Sequence, residues 1–240
     1  MTTALPELAE ADATFDRLAQ RLEPLAAEAI LREALLRLWP GRIVLVSSFG
    51  AESAVLLHLA AQIDREIPVV FLNTGKLFGE TLRYRDTLVQ RLGLTQVREV
   101  KPDTGEVSAV DSDRNAWRVA PDLCCHVRKT LPLQRALAGY DAWITGRKRF
   151  QGASRAQMAV LEQVDGRVKV NPLANWTQDA LFRYRERHDL PPHPLEADGF
   201  RSIGCMPCTD RVAPHEDARA GRWRGLAKTE CGIHLPRKIA

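Results

Sequence analysis

Three short apolar runs, Ile43-Val44-Leu45-Val46, Val69-Val70-Phe71-Leu72 and Ala142-Trp143-Ile144-Thr145, limit what this chain can fold into. A continuous run of this length, without polar alternation, suits a strand buried on both faces, as in parallel sheets covered by helices. The first is followed by the small-residue stretch from Ser47 to Ser53 and then Ala54-Val55-Leu56-Leu57-His58-Leu59, a helix. The second is followed by the turn Asn73-Thr74-Gly75 and helical spacing over residues 78–92. A further strand is expected at 97–100, and a helix over 126–137 that Pro132 either kinks or starts. Strands alternating with helices pair in parallel through right-handed crossovers, so the predicted fold is α/β with a doubly wound, mostly parallel sheet. Ligands on such sheets lie beyond the carboxyl ends of the strands. The turns after Val46, Leu72 and Thr145 therefore frame one crevice.

Around this body, apolar positions at three- and four-residue spacing predict two amphipathic helices, over 8–22 and 25–39, packed on it as a cap. Val160 to Val164 and Val168-Lys169-Val170 read as two strands around Asp165-Gly166, and Thr177 caps a helix reaching about His188. Beyond Leu190 the chain is irregular and rich in Gly, Pro, Arg and Cys. With 240 residues, 45% of them hydrophobic, the chain suits one structural domain. Its expected parts are a helical cap at 1–40, an α/β body at 41–215 and a mobile tail at 216–240.

Thirty-four basic against thirty acidic residues leave a net charge of only +4, spread over scattered arginines. That balance suits a small polyanion rather than a duplex, and no nucleic-acid partner is expected. The N-terminus has neither a basic start nor a long apolar run, and no stretch approaches the 18 or so apolar residues of a membrane span. A cytoplasmic protein without a signal peptide is expected, with the possibility of a homo-oligomer left open. In a reducing compartment, five cysteines point to metal binding or catalysis before disulfides.

The cysteines form the sharpest pattern in the chain. Cys124-Cys125 and Cys205-Met206-Pro207-Cys208 are two close pairs of soft ligands, which indicates a metal. In zinc ribbons the pairs lie roughly 15 to 20 residues apart; here 79 residues intervene and one pair is adjacent. Adjacent cysteines project differently from regular backbone, and an iron–sulfur cluster accepts thiolates from irregular backbone more readily than zinc does. A disulfide pair is the remaining alternative. If Cys125 begins a helix, Lys129 shares its face and sets an ammonium beside the thiolates; otherwise Arg128 and Lys129 are a solvated basic face. Setting four thiols aside leaves Cys231, in Lys228-Thr229-Glu230-Cys231-Gly232-Ile233-His234-Leu235. Flanked by a lysine and a histidine, it is either an activated nucleophile or an exposed free thiol. As a nucleophile without a resolving partner, it needs its second electron pair from an outside thiol.

The turn from Ser47 to Ser53 lacks both Gly-x-x-x-x-Gly-Lys-Ser/Thr and Gly-x-Gly-x-x-Gly, which argues against a P-loop hydrolase or a dinucleotide dehydrogenase. It still offers backbone N–H groups at a helix start, serine hydroxyls and Gly50 for close approach, which favour an anion. Arg147-Lys148-Arg149 follows the third run at the same sheet edge, where arginine pairs bidentately with phosphate or sulfate. Arg219 and Arg222, beside Trp223, precede Cys231 and could cover a ligand as the tail closes.

These stretches resemble one family. Cys124-Cys125-His126-Val127-Arg128-Lys129, Gly204-Cys205-Met206-Pro207-Cys208 and Lys228-Thr229-Glu230-Cys231-Gly232-Ile233-His234 are its most specific elements. Leu72 to Phe78 and Thr145-Gly146-Arg147 add to them. The chain resembles assimilatory adenylyl-sulfate (APS) reductases, which are related to phosphoadenylyl-sulfate (PAPS) reductases. The resemblance implies an adenine-nucleotide α-hydrolase-like fold, with 41–215 as a nucleotide-binding domain carrying the iron–sulfur site. It implies a [4Fe-4S] cluster on Cys124, Cys125, Cys205 and Cys208, a set that looks like the APS-using branch. It also implies attack of Cys231 on the sulfate sulfur, with AMP released and an S-sulfocysteine left for thioredoxin, or a glutaredoxin-like thiol donor, to reduce to sulfite. The expected substrate contacts are Ser47, Ser48, Gly50 and Ser53, then Asn73, Thr74 and Gly75, and finally Lys129, Arg147, Arg219, Arg222 and His234. Three alternatives stand beside this: a PAPS reductase, an ATP-dependent tRNA sulfur transferase and a zinc-binding interaction module. The transferase is opposed by the absence of an intact Ser-Gly-Gly-x-Asp-Ser loop.

Overall fold

The computed structural model describes residues 4–234, with side chains from Ala13 onward. Strands β1 (Ile43–Ser47), β2 (Val69–Leu72), β3 (Val97–Val100), β4 (Ala142–Ile144), β5 (Leu161–Val164) and β6 (Arg167–Val170) form one sheet in the order β3-β2-β1-β4-β6-β5. All neighbours are parallel except β5 and β6. The apolar runs explain this, because successive side chains of a strand point to opposite faces and both faces here are covered. Ile43, Leu45, Val69, Phe71 and Ile144 enter the main core, while Val44, Val70 and Trp143 enter a second cluster with Leu133 and Ala136. The sheet is thus doubly wound, as its sequence predicts.

From β1 the chain builds outward through β2 to β3, then returns to lay β4 on the other side of β1. The strand order reverses between the carboxyl ends of β1 and β4, where open α/β sheets hold their ligands. Asp165 (φ 53°) and Gly166 (φ 72°) form the tight turn of the β5–β6 hairpin, its two positive φ angles matching the twist of antiparallel strands.

The helices of the main-core face are α1 (Ala4–Leu22), α2 (Ala27–Glu33), α3 (Ser53–Ala61), α4 (Gly79–Leu92) and, later, α9 (Gln178–Arg187). A wide π turn, Ala34–Leu38, continues α2. Leu22, Ile30, Leu31 and Ala34 are fully buried in the main core, so this N-terminal part contributes to the same core as the sheet. The hydroxyl of Thr177 accepts the Ala180 N–H at 3.1 Å and caps α9 as expected.

Between β3 and β4 the outcome differs from expectation. The helix expected over 126–137 begins earlier, as α7 (Pro121–Cys125), passes through a π turn at His126–Thr130 and ends as α8 (Leu131–Ala136). Pro121 fits the first turn, where its missing N–H has no partner to lose. Pro132 cannot donate to the preceding turn, and the widened register directly before it accommodates the loss. Two further helices, α5 (Thr104–Val110) and α6 (Ala116–Val119), escaped the apolar spacing because α5 buries no side chain and α6 buries only Ala116. Among the described residues no helix is long and apolar enough to cross a membrane.

Candidate active site

The turns after β1, β2 and β4 meet around a cleft of about 210 Å³. Ser47, Ser48, Gly50 and Ser53 line one wall, with Thr74, Lys129 and Arg147 beside them and Arg219, Arg222, Cys231 and His234 closing it. The first turn is held by Phe49, whose N–H donates to Ser47 Oγ at 3.1 Å and whose φ is 47°. Its ring is wholly buried, edge-on to Phe71 at 5.3 Å. Gly50 does permit a close approach, but of the chain itself: a Cβ there would stand 3.0 Å from the Ile203 carbonyl oxygen. Two expected contacts are placed elsewhere. The Asn73 side chain accepts the Gly75 N–H at 3.0 Å, and Gly75 takes φ 71°, so this pair builds the turn behind the cleft instead of lining it.

The cleft contains a network of buried ion pairs; sequence analysis named its cations Arg147 and Lys148 but none of their carboxylate partners. Lys148 is 2% exposed and donates to Glu52 at 2.6 Å, and Gln151 joins the same carboxylate at 2.5 Å. Arg155 holds Glu230 through two hydrogen bonds, 2.6 and 2.9 Å. Arg147 donates to Glu162 and to Asn171 Oδ1, and burial followed by the nearby Arg155 charge lowers it to about 10. Lys169, 1% exposed, places its ammonium 5.1 Å from the centroid of the Trp143 ring. Burial, with Arg147 and Arg155, brings Lys169 down to about 7 against the pull of Glu230. No signal in the chain marks this, because Arg167-Val168-Lys169-Val170 alternates charged and apolar residues as a half-exposed strand does.

Cys231 is 8% exposed, so the structure does not present it as a surface thiol. Its thiol is held well below the usual range, first by a hydrogen bond from Cys125 and then, against burial, by the Lys129 ammonium. Lys129 in turn stays charged despite burial, because Cys205, Cys231 and Cys125 surround it. Cys125 ends α7 instead of beginning a helix, and Lys129, half-buried, lies in the π turn that follows, between these thiols and the cleft. The segment around Cys231 is docked along its length. Lys228 pairs with Asp122, Arg219 donates to the Thr229 carbonyl at 2.8 Å, and His234 stacks parallel to Trp143. Gly232 lies so near Thr130 that a Cβ would meet its hydroxyl at 3.1 Å. Leu235, the last residue of the expected motif, and the rest of the tail lie outside the described residues.

The other four cysteines line a separate small pocket with Trp117, Arg128, Lys129 and Trp223. Each is at most 9% exposed and none is in a disulfide. Thr74 Oγ1 lies 3.2 Å from Cys205 Sγ, while burial followed by Cys205 pushes the Cys208 thiol up to about 11. Among the described residues no three metal-ligating side chains close on a single ion. A cluster with four thiolate ligands makes a different demand, because it gathers thiols around a group larger than one ion. Four soft donors in one apolar pocket with a fixed ammonium fit that demand.

The chain as a whole is similar to known proteins. The phosphoadenosine phosphosulfate reductase domain model matches residues 42–211. An adenosine 5'-phosphosulfate reductase of Chelativorans sp. (strain BNC1) is 50% identical over 234 residues, covering 97% of this chain and 96% of that protein. A phosphoadenosine 5'-phosphosulfate reductase of Gloeobacter violaceus is 44% identical over 227 residues, with 92% and 93% covered. The phosphate complex of the PAPS reductase from Candida auris matches with a TM-score of 0.68 at 25% identity, covering 82% of this chain and 95% of that one. The FMN adenylyltransferase of Candida glabrata with ATP, at TM-score 0.54 and 16% identity over 93% of this chain and 77% of that one, shares the fold alone. The sheet is that of the adenine-nucleotide α-hydrolase-like fold, and the chain belongs to the APS/PAPS reductase family of enzymes acting on sulfated nucleotides.

Proposed function

We propose that the protein reduces APS to sulfite and AMP, with thioredoxin or a glutaredoxin-like protein supplying the electrons. The observation that carries this is the placement of Cys231, which closes the nucleotide cleft among Lys129, Arg219 and Arg222 and packs against the pocket that the other four cysteines line. In the first step the Cys231 thiolate attacks the sulfate sulfur. The new S–S bond forms as the bond between sulfur and the bridging oxygen breaks, and AMP leaves with that electron pair. Lys129, Arg219 and Arg222 offset the negative charge of the phosphosulfate, whose own anionic oxygens would otherwise repel the thiolate. In the second step a thiolate of the donor attacks Cys231 Sγ and expels sulfite. The donor's second thiol then resolves the mixed disulfide, which returns Cys231 as a thiol and leaves the donor oxidised.

Cys124, Cys125, Cys205 and Cys208 would hold a [4Fe-4S] cluster. Its anionic charge would keep the Lys129 ammonium protonated and oriented, a structural and electrostatic contribution. The complete cysteine set favours APS over PAPS, as does the name of the Chelativorans relative, 50% identical. Supplying each nucleotide with thioredoxin and measuring sulfite tests the choice: turnover of APS is expected, and turnover of PAPS alone would overturn it.

A further inference from the structure

We propose that Glu230 is a positioning residue: its carboxylate clasps Cys231 into the cleft through Arg155 and Arg219. The carboxylate is 6% exposed and every part of it is engaged. Oε2 accepts from Arg155 Nε at 2.6 Å, while Oε1 accepts from Arg155 Nη2 at 2.9 Å and from Arg219 Nη2 at 3.3 Å. The same Oε1 accepts the backbone N–H of Cys231 at 2.9 Å. One side chain thus connects the nucleophile's own backbone to two cations that line the ligand cleft. Arg219 adds a second grip on the adjacent Thr229 carbonyl.

The chemistry of the clasp suits a segment that must close and reopen. Fork-to-fork pairing of a guanidinium with a carboxylate fixes geometry strongly. Its net contribution to stability is small, because desolvation of two charges offsets most of their attraction. A purely apolar dock would give up that directional control. Resting on the proposed thiol mechanism, the second step requires a protein donor to reach Cys231, which is 8% exposed. Release of Glu230 from Arg155 frees the backbone immediately preceding the sulfur.

The test compares wild-type, Glu230→Gln and Glu230→Asp holoenzymes without nucleotide. Alkylation of Cys231 by iodoacetamide, mapped by peptide mass, and amide exchange over residues 226–234 are measured. Loss of the charge-assisted bonds in Glu230→Gln is expected to accelerate both by about tenfold or more. Glu230→Asp, which keeps the charge on a shorter arm, is expected to fall between. With APS and thioredoxin, Glu230→Gln is expected to lower kcat more than it raises KM. Unchanged alkylation and exchange in the folded Gln variant would overturn the clasp; if that variant does not fold, unchanged values in the Asp variant would do so. Failure of the wild-type enzyme to produce sulfite from either nucleotide would instead overturn the proposed function, leaving the exchange result to stand on its own.

Discussion

The imidazole of His234 lies parallel to the indole of Trp143, with 4° between the planes and 6.3 Å between ring centroids. Trp143 belongs to β4, so the sheet itself carries the surface on which the segment beyond Cys231 rests. Its indole is 2% exposed and also lies beneath the Lys169 ammonium. Trp143→Ala is therefore expected to cost about 3–5 kcal/mol of stability, the range for an aromatic removed from a packed core. Urea unfolding measures this, and Trp143→Phe, which keeps a ring face, is expected to retain a large part of it. A cost below 1 kcal/mol for the alanine variant would mean that this ring does not anchor the sheet to the segment.

Lys169 predicts a pH dependence of stability. Its ordinary value is 10.5, whereas burial, Arg147 and Arg155 bring it to about 7 in the folded chain, with Glu230 and Glu162 opposing. Between these values the unfolded chain holds the proton and the folded chain does not. Stability therefore rises with pH through that window, by at most about 1.4 kcal/mol per pH unit, and the penalty is full below its lower end. Lys169→Met removes the titrating group. The variant is expected to be more stable than wild type near neutral pH, with the difference shrinking toward pH 10. Urea unfolding of both proteins across the window checks this, and a difference independent of pH would refute it.

Much of the sheet was legible because a strand covered on both faces must be apolar throughout, and the runs at Val44, Val70 and Trp143 are. Counting thiols singled out Cys231, and the structure places it on the cleft and not among the residues lining the four-cysteine pocket. The elements between β3 and β4 were not legible, since α5 buries no side chain fully and is started by a polar contact, the Asp103 carboxylate accepting the Glu106 N–H at 2.9 Å. The ion pairs of the cleft were hidden for another reason. Glu52 meets Lys148 across 96 residues and Arg155 meets Glu230 across 75, so neither partner marks the other in the sequence. Asn73 and Gly75 were placed among the contacts because a turn and a binding loop use the same residue types, and the structure shows them building the turn.

Asp111 and Arg128 form a buried pair whose loss should be severe. Asp111 Oδ2 accepts from Arg128 Nη2 at 2.7 Å and Oδ1 accepts the Ala116 N–H at 2.8 Å, in a side chain with no exposure. Arg128 also donates to the Thr74 carbonyl at 2.9 Å, so the pair joins α5 and α6 to the turn beside the cleft. Asp111→Ala strands the guanidinium and a backbone N–H and is expected to cost about 3–5 kcal/mol. Unfolding monitored by circular dichroism measures the loss; a change within 0.5 kcal/mol, the usual range for surface sites, would show that water replaces the carboxylate freely.

The cysteine pocket makes the last prediction, and colour reads it out. Cys208 is 9% exposed, and burial pushes its thiol up to about 11, an unfavourable setting for a bare thiolate. A metal centre reverses that balance by binding the deprotonated sulfur directly. Protein purified without oxygen is therefore expected to be brown, with iron and acid-labile sulfide in equal amounts. Cys208→Ser should lose most of both, since a serine hydroxyl is a poor ligand for this soft centre. Cys231→Ser should keep the colour, because Cys231 is not among the four cysteines that line the small pocket, while losing sulfite formation. A colourless wild-type protein containing zinc would assign the pocket to a different metal, and loss of iron in Cys231→Ser would show that the fifth cysteine is a ligand too.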